Sequence, residues 1–175
     1  MTWFRWILLA LAAGLFGLFA FMLTQPKDEF VESKMIGQQI PEFALPAIVT
    51  DRPGLSSADL ADGKPKLLNV FASWCVPCAA EAPNLARLEA SGANIVGVAI
   101  RDRPEDAAAF LSQYGNPFSR IGRDDIRQVQ LSIGSSGVPE TFVIDGNGVI
   151  RYQYIGPIGP SEVSLLLAQL REAGA

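Results

Sequence analysis

The chain has 175 residues, of which 49% are hydrophobic, and it carries a formal net charge of −4 with no histidine. This length allows one sizeable hydrophobic core plus a short appendage, and the negative charge argues against a nucleic acid as partner. The chain contains two cysteines, Cys75 and Cys78, separated by two residues.

The first segment is an uninterrupted apolar run from Ile7 to Leu23. As a helix it would be about 26 Å long, which nearly spans the hydrocarbon core of a bilayer. Trp3 and Trp6 add aromatic side chains suited to the membrane interface. Arg5 precedes the run, whereas the stretch 27–29 after it is net negative. The positive-inside rule therefore predicts a single-pass anchor over residues 1–24, with a cytoplasmic N-terminus and the rest of the chain outside.

A cleaved signal peptide is the alternative to this anchor. The stretch 21–26 (FMLTQP) lacks the small-x-small pattern of a cleavage site, and the apolar core is long, so an uncleaved anchor is favoured. Residues 25–35 are predicted to be a polar tether, and residues 36–175 the folded domain.

The first part of this domain contains short elements. Proline-flanked Pro41–Pro46 is predicted to be an edge strand, Thr50–Gly54 a turn, and Ser56–Leu60 a single helical turn capped by Ser56. The apolar run Lys66–Phe71 is predicted to be a buried strand, because it is too short for a normal helix.

The Cys-x-x-Cys pair follows this strand and should open a helix. Cys75 would then face unpaired backbone N–H groups and the positive end of the helix dipole, which favour thiolate over thiol. Cys78, one turn deeper, is expected to be the less exposed thiol, which resolves a mixed disulfide. Pro83 is predicted to kink and interrupt the helix, because it lacks an N–H group and clashes with the preceding turn.

Other uses of the two cysteines are less favoured. A structural disulfide that closes a two-residue loop removes little chain entropy and so stabilises weakly. A zinc site normally needs four ligands, and the chain has no further cysteine and no histidine. Capture of a soft metal by two thiolates remains an alternative to redox exchange.

The rest of the chain alternates strands and helices, an order that implies parallel strands joined by crossovers. The motif Asp145-Gly146-Asn147-Gly148 predicts a hairpin between the last two strands. The predicted strands are Asn94–Ile100, Phe118–Ile121, Glu140–Asp145 and Gly148–Tyr154, and the predicted helices are Pro104–Tyr114, Asp124–Ile133 and Pro160–Ala173.

Two motifs together resemble a known family. Trp74-Cys-x-x-Cys after a strand, and Gly137-Val-Pro-Glu-Thr-Phe before the hairpin, are similar to the membrane-anchored thiol:disulfide interchange proteins of cytochrome c maturation (CcmG/DsbE type). The resemblance runs from about Ile36 to the C-terminus. It implies an α/β, thioredoxin-like fold, a central mixed sheet flanked by helices, preceded by one transmembrane helix. It also implies a protein-disulfide reductase of the bacterial inner membrane with a periplasmic catalytic domain.

The resemblance assigns roles around the cysteines. Cys75 would be the attacking thiolate and Cys78 the resolving thiol, beside Trp74. Val138 and Pro139 would form a cis peptide that faces the disulfide and shapes the substrate site.

Acidic residues complete the expected site. Cytosolic thioredoxins carry a buried Asp six residues before the first cysteine, but this chain has Asn69, and an amide cannot act as a base. The family pattern suggests Glu81 and Glu140 as substitutes. The plainer alternatives are a solvated helix charge for Glu81 and a strand-edge carboxylate for Glu140.

Partners follow from the same resemblance. The protein would reduce apocytochrome c, or thiol proteins of cytochrome c maturation, and would be recharged by a membrane electron donor of the DsbD/CcdA type. It would need no metal and no cofactor beyond its redox-active disulfide. The alternatives are a TlpA/ResA-like reductase that serves another protein or a copper site, and a copper metallochaperone. The lack of histidine and the presence of only three methionines weaken the last alternative.

Overall fold

The computed structural model describes residues 2–24 and 33–174, so residues 25–32 of the predicted tether lie outside the described residues. The chain divides into two compact units, Met1–Phe30 and Val31–Ala175. The first contains the helix α1, Thr2–Thr24. Within it, Trp3–Met22 has a mean hydropathy of 2.0 and is long enough, at about 30 Å, to cross a bilayer. Its side chains are exposed, as expected of a single-pass anchor.

The second unit begins with a small antiparallel sheet. Strands β1 (Ala44–Leu45) and β2 (Leu55–Ser56) pair there and are followed by α2 (Ser57–Leu60). Ser56 is the N-cap residue of α2, as predicted, and its backbone N–H and hydroxyl both donate to Asp59 Oδ2, at 2.8 and 2.6 Å. The predicted strand 41–46 shrinks to two residues, which pair outside the central sheet.

The central sheet has five strands in the order β5-β4-β3-β6-β7. Strands β3, β4 and β5 are parallel, whereas β6 runs antiparallel to β3 and β7 antiparallel to β6. The sheet is therefore mixed, as the resemblance implies. Its strands are β3 (Lys66–Phe71), β4 (Ile95–Ile100), β5 (Arg120–Asp124), β6 (Glu140–Ile144) and β7 (Ile150–Ile155).

Helices flank this sheet. α3 packs against α4 and α6, and α6 also lies against β6 and β7. Strand β3 occupies the centre of the sheet and is buried along its whole length, which explains its mostly apolar sequence. Phe71, at its end, stacks on Phe118 with ring centroids 4.9 Å apart. The helices are α3 (Val76–Ala90), α4 (Pro104–Tyr114), α5 (Gln128–Ser132) and α6 (Pro160–Ala173).

The structure also corrects several other local predictions, three of them by more than two residues or in the continuity of a helix. Helix α3 continues through Pro83 without interruption, and the side chains of Glu81 and Asn84 on either side of it both bind the backbone of Ile158. The strand predicted at Phe118–Ile121 starts and ends later, at Arg120–Asp124. The helix predicted from Asp124 starts at Gln128, because the Asp124 carboxylate accepts hydrogen bonds from the Gln128 and Gln130 N–H groups.

Candidate active site

The two cysteines form a disulfide at the N-terminus of α3. The S–S bond is 2.05 Å long, and the Cα atoms are 5.3 Å apart. Cys75 is the N-cap, and its Sγ accepts a hydrogen bond from the Cys78 backbone N–H at 3.2 Å. The predicted position of the pair at the start of a helix is therefore confirmed. A Cys75 thiolate would lie against the same N–H groups and the positive end of the helix dipole.

Exposed apolar side chains flank the disulfide. Trp74 is 58% exposed and Val76 is 80% exposed, whereas Cys75 and Cys78 are only 4% and 2% exposed. The expected difference in exposure between the two cysteines is thus small in this oxidised state. A partner chain would meet an apolar rim before it reaches the sulfur atoms.

The residues just before Cys75 are held by the segment after β4. Asp102 is buried and accepts hydrogen bonds from the Ser73 N–H and the Ser73 hydroxyl, both at 2.6 Å, and from the Arg103 N–H at 3.0 Å. The Trp74 indole N–H donates to the Arg101 carbonyl at 3.3 Å. Because β3 and β4 are parallel, the segments that follow them leave the sheet at the same edge. The segment after β4 therefore holds the segment after β3, which leads to Cys75.

Glu81 lies fully buried one helical turn beyond Cys78. Its Oε1 accepts a hydrogen bond from Asn69 Nδ2 at 3.0 Å, and its Oε2 accepts one from the Ile158 N–H at 3.0 Å. The Asn69 amide also donates to Thr141 Oγ1 at 3.0 Å. Asn69 therefore orients the carboxylate that lies near the cysteine pair, and the plainer interpretation of Glu81 as a solvated charge is wrong.

Burial raises the pKa of Glu81 from 4.5 to about 7, against the opposing effect of its two hydrogen bonds. Glu81, Asn69 and Cys78 line one small cavity of about 10 Å³, room for at most about one water molecule. A carboxyl group that titrates near neutrality, one turn from a cysteine, is suited to exchange protons with that cysteine.

The Val138–Pro139 peptide bond is cis, as the resemblance implies. In the sheet register, Glu140 lies opposite Val70, so Val138 and Pro139 lie at the same edge as the residues that lead to Cys75. Pro139 is buried and Val138 half-buried. The register thus places the cis Val138–Pro139 peptide beside the segment that carries the Cys-x-x-Cys pair.

Glu140 is also buried, but it lies on the other face of the sheet. Its neighbour Thr141 contacts Asn69, and successive side chains of a strand alternate between faces. The Glu140 carboxylate accepts hydrogen bonds from the Ser136 N–H (2.9 Å) and hydroxyl, the Gly137 N–H (3.0 Å) and Gln153 Nε2 (3.1 Å). The structure therefore brings Glu81 and Asn69 to the cysteines, whereas it engages Glu140 in the loop before Pro139.

Sequence reasoning missed Ser73 and Asp102, which hold the approach to Cys75, and Gln153, which donates to Glu140. A signal existed for Asp102, which directly follows the buried strand next to β3, at the edge where parallel strands end. Gln153 gave no such signal, because a glutamine on an outer strand is usually solvated.

Three comparisons place the chain among known proteins. A family model described as Redoxin matches residues 35–170. Thiol:disulfide interchange protein HelX of Rhodobacter capsulatus is 39% identical over 86% of this chain and 85% of its own length. Thiol:disulfide interchange protein DsbE of Escherichia coli is 40% identical over 88% of this chain and 83% of its own length. A crystal structure from Chlorobium tepidum, described as a thiol:disulfide interchange protein DsbE, is 29% identical with a TM-score of 0.69 over 80% of this chain and 98% of that one.

Proposed function

Since the chain belongs to the redoxin family, among the DsbE/HelX thiol:disulfide interchange proteins, we propose that it reduces disulfides of apocytochrome c, or of thiol proteins that handle it, before haem attachment. The observation that carries this proposal is the Cys75–Cys78 disulfide at a helix N-terminus, with the buried carboxyl group of Glu81 one turn away. This arrangement suits a thiol pair that attacks and then resolves.

The reduced protein would react in two steps. The Cys75 thiolate attacks one sulfur of the substrate disulfide, forms a mixed disulfide and displaces the other substrate sulfur as a thiolate. The Cys78 thiol then loses its proton and attacks Cys75 Sγ, which releases the second substrate thiolate. The substrate gains two electrons and, once its thiolates are protonated, two protons. The protein is left with the Cys75–Cys78 disulfide.

Glu81 would accept the proton of Cys78 in the second step. Its pKa of about 7 makes it a matched base near neutral pH, and Asn69 holds the accepting carboxylate in place. Trp74, Val138 and Pro139 would shape the site that the substrate enters. In this scheme Glu140 supports the loop.

The anchor sets the place of the reaction. We infer that α1 crosses the bacterial inner membrane once, with the N-terminus in the cytoplasm and residues 33–174 in the periplasm, because Arg5 precedes the apolar run. Reduction in an oxidising compartment needs a supply of electrons, and a membrane donor of the DsbD/CcdA type would supply them to the oxidised pair.

The substrate is tested with peptides. The reduced full-length protein in detergent is mixed with a disulfide-bonded Cys-x-x-Cys-His peptide, which has the pattern of a c-type haem attachment site. The control is a peptide of the same composition in which the two cysteines lie in another sequence. We expect the first to be reduced at least about tenfold faster, which corresponds to about 1.4 kcal/mol of preference. Equal rates for both peptides would favour a broader reductase of the TlpA/ResA kind.

A further inference from the structure

Gln153 connects two distant parts of the second unit through a buried amide. It lies in the middle of β7 and is 8% exposed. Its Oε1 accepts a hydrogen bond from the Ser33 backbone N–H at 2.6 Å, and its Nε2 donates to Glu140 Oε2 at 3.1 Å. The partners fix the orientation of the amide, because the reversed amide would place NH₂ against N–H and oxygen against a carboxylate.

Glu140 passes this connection on to the loop before the cis peptide. Its other oxygen, Oε1, holds the N–H groups of Ser136 and Gly137, the two residues directly before Val138. Among the described residues, no arginine or lysine forms an ion pair with Glu140, so hydrogen-bond donors alone stabilise its carboxylate. Loss of one donor would therefore weaken the hold on the loop.

Ser33 contacts the other end of the same loop. Its hydroxyl donates to the Ile133 carbonyl at 2.7 Å, at the end of α5. Next to it, Gly134 has a φ of +75°, and a Cβ atom there would lie 2.3 Å from Ser33 Oγ. Ser33 thus contacts the start of the loop directly after α5. Through Gln153 and Glu140 it is also connected to the end of the loop, directly before the cis peptide.

We propose that Ser33, Gln153 and Glu140 form a loop clamp that fixes residues 134–138 in the conformation that receives the substrate, with Gln153 as a positioning residue for thiol:disulfide exchange. The clamp includes Ser33, the first described residue of the second unit, so the segment by which the chain enters this unit is part of the active-site scaffold. The inference rests on the proposed function in one respect, that an extended substrate chain pairs with this loop.

The test replaces Gln153 and follows two kinds of substrate. Gln153→Leu removes both hydrogen bonds at similar size, and Gln153→Glu keeps an acceptor for Ser33 but loses the donor to Glu140. The control is Gln169→Leu, since the Gln169 amide donates to Glu172 on α6, away from the loop. Each full-length protein, reduced and in detergent, is mixed with a disulfide-bonded peptide and separately with bis(2-hydroxyethyl) disulfide, which is too small to pair with the loop.

These are single-turnover reactions with the peptide in excess, because nothing re-reduces the protein. Both Gln153 variants should raise the half-saturating peptide concentration by about three- to tenfold, the effect of losing the hydrogen bond to Glu140 that both variants lack, with little change in the limiting rate. Their rate with the small disulfide should stay within about twofold of the parent, and Gln169→Leu should match the parent with both substrates. An unchanged half-saturating concentration of the peptide, or an equal loss of rate with the small disulfide, would overturn the proposal.

Two additional measurements test the clamp independently of the preferred peptide and of the folding of the variants. The peptide assay is run with the Cys-x-x-Cys-His peptide and with an unrelated disulfide peptide, so the clamp is still tested if the cytochrome-type peptide is not preferred. Hydrogen exchange of the parent protein covers the case of a variant that does not fold. The amides of Ser33, Ser136 and Gly137 should exchange slowly in the folded protein, and rapid exchange at all three would refute the clamp.

Discussion

At the scale of single residues, two buried glutamates near the site have different environments. Glu81 has two hydrogen-bond donors, one of them an amide side chain that cannot titrate, and burial raises its pKa to about 7. Glu140 has four donors and lies on the opposite face of the sheet. Glu81 is therefore suited to exchange a proton near neutral pH, whereas Glu140 serves the loop as a hydrogen-bond acceptor.

The roles of the two cysteines lead to the first prediction at this scale. Cys78→Ser removes the resolving thiol, so the mixed disulfide with the substrate should accumulate through Cys75, whereas Cys75→Ser should abolish reduction. Mass spectrometry of the adduct formed with the disulfide peptide identifies the linked cysteine. Adduct formation by the Cys75→Ser variant through Cys78 would reverse the assignment.

Glu81 should set the pH dependence of the resolving step. Below pH 7 its carboxyl group is largely protonated and cannot accept the Cys78 proton, and above pH 7 it can, so the rate should rise through about pH 7 and then level off. In Glu81→Gln this rise should disappear, and resolution at pH 8 should slow by about 10²-fold, the lower end of the usual contribution of a general base. Stopped-flow detection of peptide thiol release measures this step.

Glu89→Gln is the matched control for Glu81→Gln, because Glu89 is exposed on the same helix. It should leave the pH profile unchanged. The idea that Glu81 handles the proton would fail if Glu81→Gln and Glu89→Gln gave the same profile as the parent.

At the scale of elements, the start of α3 depends on the connection between β4 and α4. The helix supplies the N–H groups that face Cys75. The residues just before the helix are held by Asp102, which accepts hydrogen bonds from the Ser73 N–H and the Ser73 hydroxyl. The far end of the site is fixed in a similar way, since Glu81 and Asn84 of α3 bind the Ile158 N–H and carbonyl before α6. The disulfide is thus positioned by contacts at two separate places.

Asp102→Asn tests the first of these contacts. The NH₂ group of asparagine cannot accept a hydrogen bond, so at least one partly buried backbone N–H, of Ser73 or of Arg103, would lose its partner, at a cost of about 1 kcal/mol in the free energy of unfolding. Urea unfolding of the oxidised protein measures this cost. Asp106→Asn, on the exposed side of α4, should have almost no effect, and equal losses in both variants would contradict the role of Asp102.

At the scale of the whole molecule, the chain combines an exposed apolar helix with a unit that has its own core. Both tryptophans of α1 lie near its N-terminus, beside Arg5, which favours an interface at that end. The unit Val31–Ala175 carries the disulfide and the groups that position it. This division suits an enzyme that is held at a membrane and acts on soluble protein chains.

The topology prediction belongs to this scale. Protease added to spheroplasts should degrade the catalytic unit, while the protein in intact cells remains protected by the outer membrane. The full-length chain should sediment with membranes and resist extraction with carbonate. A protected catalytic unit would reverse the orientation, and a soluble mature protein that begins near Gln25 would mean that the apolar segment is a cleaved signal peptide.

Several elements could be predicted from the sequence alone because their signals are local. The bounds of β3, α4 and α6 agree with the structure, since each is defined by a short apolar run or by a proline at its first turn. The hairpin of β6 and β7 follows from its turn residues. The position of Cys75 and Cys78 at the junction of a strand and a helix could likewise be predicted, because the signals for both elements lie close to the two cysteines in the sequence.

Only the tertiary structure decided which polar residues serve the site. Glu81 becomes buried because Asn69 and the Ile158 N–H, 12 and 77 residues away in sequence, close around it. Asp102 reaches Ser73 across 29 residues, and Ser33 reaches Gln153 across 120. Burial and hydrogen-bond partners depend on such long-range packing, whereas sequence patterns report only local periodicity. The positions of the two thiols could therefore be predicted from the sequence. The groups that position the thiols, and the pKa of Glu81, are determined by the tertiary structure.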